Sequence, residues 1–176
     1  MNRRKTIGVV AAAIVGGIAP IRVHAKPMNT IAVGPWEFEA PIDWKLQENS
    51  TTVPYMEAPD GTRGCYIKAL TFGQTRKSAV EAADYLQEVH ERNFLKDPEA
   101  YWKTVERVSS HLGQTARSVL DLLDEESNYR VLSVVLATER EALQVTVHDY
   151  DCKDYGSSKR LLAPIAESLR GPKPGA

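Results

Sequence analysis

Two apolar segments joined by a charged turn dominate the chain between Tyr129 and Tyr150, YRVLSVVLATEREALQVTVHDY. Residues 131–136 are almost continuously apolar and largely β-branched, the pattern of a strand buried on both faces. After the polar turn at 137–141, Leu143, Val145 and Val147 alternate with Gln144, Thr146 and His148, the period of two that buries one face of a strand. The pattern predicts an antiparallel hairpin at the centre of a sheet. Residues 116–123, reached through the acidic turn at 124–128, add a third strand and make a meander.

Upstream, Trp36 and Phe38 alternate with Glu37 and Glu39 before Pro41, and Trp44 and Leu46 alternate with Lys45 and Gln47. Both read as short strands near an edge, where proline is tolerated. Residues 53–56 predict another strand, ended by the Ala58-Pro59-Asp60-Gly61 turn, and residues 65–72 a stronger one between Gly64 and Gly73. Ser78 with Glu81 three residues later is a capping box, and Ala79, Ala82, Ala83, Leu86 and Val89 share the face of the helix it opens. Asp97-Pro98-Glu99 is a second helix start, followed by Tyr101, Val105, Val108 and Leu112 at helical spacing. Residues 105–111 fit equally a strand that turns at Gly113. Residues 157–170 carry Leu161, Leu162, Ile165 and Leu169 on one helical stripe, with Pro164 to kink or restart it.

The first 25 residues have the organisation of a signal peptide: Arg3, Arg4 and Lys5, an apolar run over 7–18, and the small-residue pattern Val23-His24-Ala25. Gly16, Gly17 and Pro20 interrupt a run already short for a membrane span. The expectation is cleavage after Ala25 and a periplasmic or secreted product with no stable membrane anchor. The Arg3-Arg4 pair permits folded export, but Thr6 fits that route poorly and favours export of an unfolded chain. Residues 26–170 then form a single α+β domain, long enough for one core, and 171–176, GPKPGA, a disordered tail. Cleavage removes four of the 22 Lys and Arg and none of the 23 Asp and Glu, which leaves 18 basic against 23 acidic residues and a net charge of −5. That balance speaks against nucleic acid as a partner.

Candidate chemistry is sparse. An exported chain with two cysteines, Cys65 and Cys152, points first to one disulfide, provided the two come close; two separately buried thiols are the alternative. Closing so long a loop would add about 4–5 kcal/mol on the chain-entropy model. Asp149, Tyr150, Asp151, Asp154 and Tyr155 form the most polar cluster. Its carboxylates at alternate positions suit a hard cation, but Lys153 intrudes, the turn glycine is missing and Arg160 stands where the terminal glutamate belongs, so no metal site is expected. The same five residues suit an acidic, aromatic docking surface for a basic protein partner. His90, His111 and His148 lack zinc spacing, Ser109 and Ser110 beside His111 lack an elbow motif, and no glycine-rich phosphate loop is present. No cofactor is expected. Trp36, Trp44 and Trp102 read as packing residues.

The segments Phe38-Glu39-Ala40-Pro41-Ile42-Asp43-Trp44, Leu112-Gly113-Gln114-Thr115-Ala116-Arg117, the 129–150 hairpin, and Ile165-Ala166-Glu167-Ser168-Leu169 resemble, in that order, the Mog1/PsbP-like superfamily. The resemblance implies an antiparallel β-sheet flanked by helices, an α/β sandwich, and favours the strand for 105–111. It also implies company among photosystem accessory subunits, bacterial envelope proteins and small binding modules. The expected function is therefore a non-enzymatic envelope module that binds one protein partner, with an immunity protein against a delivered toxin as a specific case. An accessory or assembly factor of an envelope complex is the alternative. A small hydrolase ranks third, because no acid, base and nucleophile come together by motif.

Overall fold

A strand pair buried on both faces needs a covering layer on each side, and the chain supplies one from its two ends together and the other from its middle. The computed structural model describes residues 27–47, 53–73, 77–97 and 100–171. The signal-peptide expectation for residues 1–25 and the tail expectation beyond Gly171 lie outside the described residues. The elements are β1 (Met28–Val33), β2 (Trp36–Pro41), β3 (Lys45–Leu46), β4 (Tyr55–Glu57), β5 (Arg63–Thr71), α1 (Ala79–Leu95), β6 (Trp102–Leu112), β7 (Thr115–Asp124), β8 (Tyr129–Ala137), β9 (Glu141–Asp149) and α2 (Tyr155–Glu167). Seven strands form one antiparallel sheet in the order β3-β4-β5-β9-β8-β7-β6, and β1 and β2 form a separate hairpin.

Strands β8 and β9 are buried along all but their first residues. Leu132, Val134 and Leu136 of β8 face the same side as Leu143, Val145 and Val147 of β9, where they meet Trp36 and Phe38 of the β1–β2 hairpin and Leu162, Ile165 and Leu169 of the C-terminal segment. The hairpin and that segment are joined by reciprocal backbone hydrogen bonds between Glu37 and Arg170, 3.2 and 2.8 Å. On the other face, α1 lies over β6, β7 and β8. Its Ala79, Ala82 and Ala83 carry little bulk, so the helix sits close to Val135, Ala137 and Ala142. The fully buried Gln87 donates to the carbonyls of Ser118 and Ser133, 3.0 and 2.9 Å, on two adjacent strands. The Ser78–Glu81 capping box closes the amino end of α1 as the sequence predicts.

Residues 102–112 are strand, which overturns the helical reading of Tyr101, Val105, Val108 and Leu112 and agrees with the superfamily resemblance. The misleading period has a local cause. A bulge at Val105, between the paired residues Thr104 and Glu106, resets the alternation and mimics helical spacing. Gly113 at φ +64 closes the tight turn that sets β6 against β7. The start of the C-terminal helix also moves. Helix α2 begins at Tyr155 with Asp154 as its cap, and Pro164 lies inside it without ending it. Strand β1 was not anticipated, because only its pairing with β2 gives Met28–Val33 a strand role.

Leu162 is fully buried at the centre of the α2-side core. Leu162→Ala is expected to lower unfolding stability by about 2–5 kcal/mol, measured by denaturant titration.

Candidate functional site

At the carboxyl end of β9 the chain leaves the sheet and crosses to the amino end of α2. Backbone hydrogen bonds fix this crossing: Tyr150 N–H donates to Thr62 O at 2.9 Å, and Cys152 N–H to Asn128 O at 2.6 Å. Side chains leave it towards both faces of the sheet, so one short segment serves two different surfaces.

On the α2 face lies a cleft of about 380 Å³, lined among others by Trp44, Arg63, Asp149, Cys152, Ser158 and Leu161. At its base, charges alternate across the strands. Asp149 is 1% exposed and lies 3.4 Å from the Arg63 guanidinium, with the Asp151 N–H donating to it at 3.4 Å. Arg130, also 1% exposed, forms a fork with Asp121 at 2.9 and 2.8 Å and donates to Ser158 Oγ at 3.1 Å. Tyr155 donates its hydroxyl to Asp121 at 2.8 Å while its ring lies beneath the Arg130 guanidinium. Burial works against the Arg130 charge, but the hydrogen bonds and field of Asp121 overcome it and hold the guanidinium pKa above its usual value. Burial, then the bond to Asp121, pushes the Tyr155 hydroxyl up to about 12. Removing one member of a buried pair of this kind leaves an uncompensated charge and costs about 3–5 kcal/mol.

The two cysteines are buried free thiols, so the disulfide expected from their number is not formed in this structure. Their placement explains it. Cys65 stands in β5 against Met56 and Val147, whereas the Cys152 backbone is tied to Asn128 on the opposite side of β9, its thiol beside Ser158. Burial raises both thiol pKa values, that of Cys65 to about 12. Protonated thiols are poor nucleophiles.

On the α1 face, beyond the edge of the helix, aromatic rings run in an unbroken series. Tyr55 packs on Tyr66 with centroids 4.6 Å apart, Tyr66 meets His148 at 5.1 Å, and His148 stacks on Tyr150 at 5.6 Å. Tyr129 contacts both His148 and Tyr150 and continues through Trp102 and Phe94 to His90. The Tyr55 hydroxyl lies 3.4 Å from that of Tyr150, and the Tyr129 hydroxyl 2.5 Å from His148 Nδ1. Gly64 makes room for this platform: a Cβ there would stand 2.2–2.6 Å from the Tyr55 phenol. Burial, reinforced at His90 by the charge of Lys68 and at His148 by repulsion from any proton taken up by His90, lowers both histidines to about 4 and keeps the rings neutral. Burial likewise raises Tyr55 and Tyr129, so the platform offers neutral hydroxyls. Tyr66 and Tyr150 are its exposed members, at 40% and 37%.

No family model and no curated protein matches the chain. The solution structure of cyanobacterial PsbP (CyanoP) from Synechocystis overlays 89% of this chain and 98% of its own, with a TM-score of 0.58 and 11% sequence identity. The chain has a Mog1/PsbP-like fold. Two other structures overlap it at a TM-score of 0.49. One is the yeast Ran-binding protein Mog1p, 10% identical over 82% of this chain and 96% of its own, and the other a Bacteroides thetaiotaomicron protein, 16% identical over 80% and 46%. In the Mog1/PsbP-like frame of this chain, the cleft and the platform both sit at the end of the sheet where β9 passes into α2.

The five residues singled out from the sequence therefore separate. Asp149 is buried at the cleft base, exposed Asp151 pairs with Lys153 at 2.9 Å, and Asp154 caps α2 by accepting from Ser157 N–H at 2.8 Å. Tyr150 crosses to the platform and Tyr155 joins the Arg130–Asp121 pair. Among the described residues, no three His, Cys, Asp or Glu side chains are placed to hold a metal ion, and no helix is long and apolar enough to cross a membrane. Sequence reasoning missed Tyr55, Tyr66 and Tyr129. Their signal was weak: each holds an α1-face position on a different strand, and only the sheet register makes them neighbours.

Two measurements probe the platform. Gly64→Ala is expected to displace the Tyr55 ring and destabilise the fold by about 1–3 kcal/mol, visible in near-ultraviolet circular dichroism and denaturant titration. The histidines titrate near 4 when folded and at 6.5 when unfolded, so between those values only the unfolded chain takes up their protons. Their contribution to stability is flat above pH 6.5 and falls as pH drops towards 4, by on the order of a few kcal/mol. Thermal unfolding across that range checks it. His90→Leu should make the decline shallower, because the unfolded variant has one imidazole fewer to protonate, and it forfeits no Nε2 hydrogen bond.

Proposed function

We propose that this protein is a non-enzymatic protein-binding module of the envelope that docks one basic partner at the β9–α2 end of its sheet. The carrying observation is the exposure of Tyr66 and Tyr150 on the platform side of that end, with the exposed acids Asp60, Asp151 and Asp154 around the cleft on its other side. Tyrosine gives contact area at low entropic cost, and rim carboxylates steer a cationic partner and set its register. The non-enzymatic reading draws support from the polar groups themselves. Both thiols are held protonated, burial makes the platform histidines poor proton acceptors, and Ser109 engages Asp84 and Ser118. The envelope location rests on the signal-peptide pattern of residues 1–25. The narrow form of the proposal is an immunity or inhibitor protein against a delivered toxin, which calls for a small module with one docking surface. The alternative, an accessory or assembly factor, draws on the fold likeness to cyanobacterial PsbP.

Immobilised chain 26–176 is expected to retain one stoichiometric protein from envelope extract, identified by mass spectrometry and then measured as a purified pair. Tyr66→Ser with Tyr150→Ser should weaken that pair at least about tenfold. Asp151→Ser with Asp154→Ser should slow association and reduce its salt dependence, serine preserving the helix cap. A folded bait without a partner, or a partner indifferent to all four substitutions, would overturn the proposal. A partner seen only as a subcomplex of a larger assembly would favour the accessory role.

A further inference from the structure

The two edges of the seven-stranded sheet are built differently. One ends in β3 and β4, only two and three residues long. The other ends in β6, eleven residues long, paired on one side with β7 and exposed from Lys103 to Leu112. Short strands, bulges and unmatched charges are the usual protections of an edge. Strand β6 is long, and its bulge lies outside residues 106–112. Its three charged side chains are each matched within the chain: Lys103 with Glu125 at 2.9 Å, Glu106 with Lys159 at 3.2 Å, and Arg107 with Glu91 at 2.8 Å. The bulge at Val105 confines regular pairing to residues 106–112. Within that segment Val108 and Leu112 point to the α2 face, 49% and 54% exposed.

We infer that β6 is a homodimer edge, on which a second copy of this chain adds its own β6 antiparallel across a two-fold axis at Ser110. The strand's own pattern selects this occupant. With the axis at Ser110, Val108 falls opposite Leu112 of the other copy, twice by symmetry, so each exposed apolar side chain finds an apolar partner. The chain turns away at Gly113, so the paired segment is 108–112, Glu106 and Arg107 stand outside it, and no like charges meet. Because the charges of β6 are already neutralised, pairing strips water from no unmatched ion. Few residue pairs take part, so the dimer is a weak, concentration-dependent one. The inference rests on the outer edge of β6 and does not depend on the proposed function.

Sedimentation velocity from about 1 to 500 μM is expected to show a monomer–dimer equilibrium with a dissociation constant in the micromolar range. Val108→Lys should weaken it more than about tenfold, since each dimer would carry two lysines against the apolar side chains opposite. Because Val108 is half exposed, the variant should fold, with circular dichroism as the check. Ser110→Cys should oxidise to a covalent dimer through the introduced thiols of the two copies, which meet at the axis, while Lys103→Cys, outside the regular segment, should not. Monomer behaviour throughout the range, with no Ser110→Cys dimer, overturns the inference. So does a Ser110→Cys crosslink to a foreign polypeptide in place of a second copy.

Discussion

Burial of β8 and β9 on both faces is the constraint from which the rest of the structure follows. A strand pair with apolar side chains on each side has no stable exposed face, so two further layers are obligatory. The sequence between and around the strands supplies them asymmetrically. Helix α1 covers one face through small residues at close range, and the β1–β2 hairpin with α2 covers the other through Trp36, Phe38, Leu162 and Ile165. Each cover is narrower than the sheet. Where α1 ends its coverage the aromatic series begins, and where α2 ends its coverage the outer side chains of β6 remain in water.

The same geometry explains the buried polar groups. Near the end of the sheet the apolar pattern of β8 and β9 gives way to Arg130 and Asp149, which share one face with Arg63 and Asp121. Alternating sign lets each charge answer its neighbour where water cannot. The arrangement is costly to break and fixes where the amino end of α2 can settle, because Ser158 and Tyr155 complete it.

Much of this was legible in the chain. The central hairpin, the acidic turn, the capping box and the apolar stripe of α2 follow from periodicity that packing reinforces. Residues 102–112 were ambiguous because a single inserted residue at Val105 converts strand alternation into spacing that imitates a helix; the superfamily resemblance resolved what periodicity could not. The candidate site was legible only in part. Asp149 to Tyr155 were visible as a polar cluster, but sequence adjacency hid that successive strand residues face opposite sides, so Tyr150 and Asp149 serve different surfaces. Tyr55, Tyr66 and Tyr129 are remote in sequence and meet only through register. Cysteine number suggested a bridge, yet backbone bonds on opposite sides of β9 keep the thiols in separate environments.

The pairing of β5 with β9, together with the Glu37–Arg170 bridge, has a consequence for the order in which the molecule can assemble. Strands β6 to β9 are sequential neighbours joined by short turns and can zip together as soon as they exist. The amino-terminal third is different: β5 meets its partner 70 to 86 residues later, and the β1–β2 hairpin is fastened by almost the last described residue. A chain delivered amino end first, from the ribosome or through a translocation channel, therefore travels with its first five strands waiting. Completion of the fold is vectorially delayed until α2 and Arg170 arrive, whatever has already paired within β6 to β9.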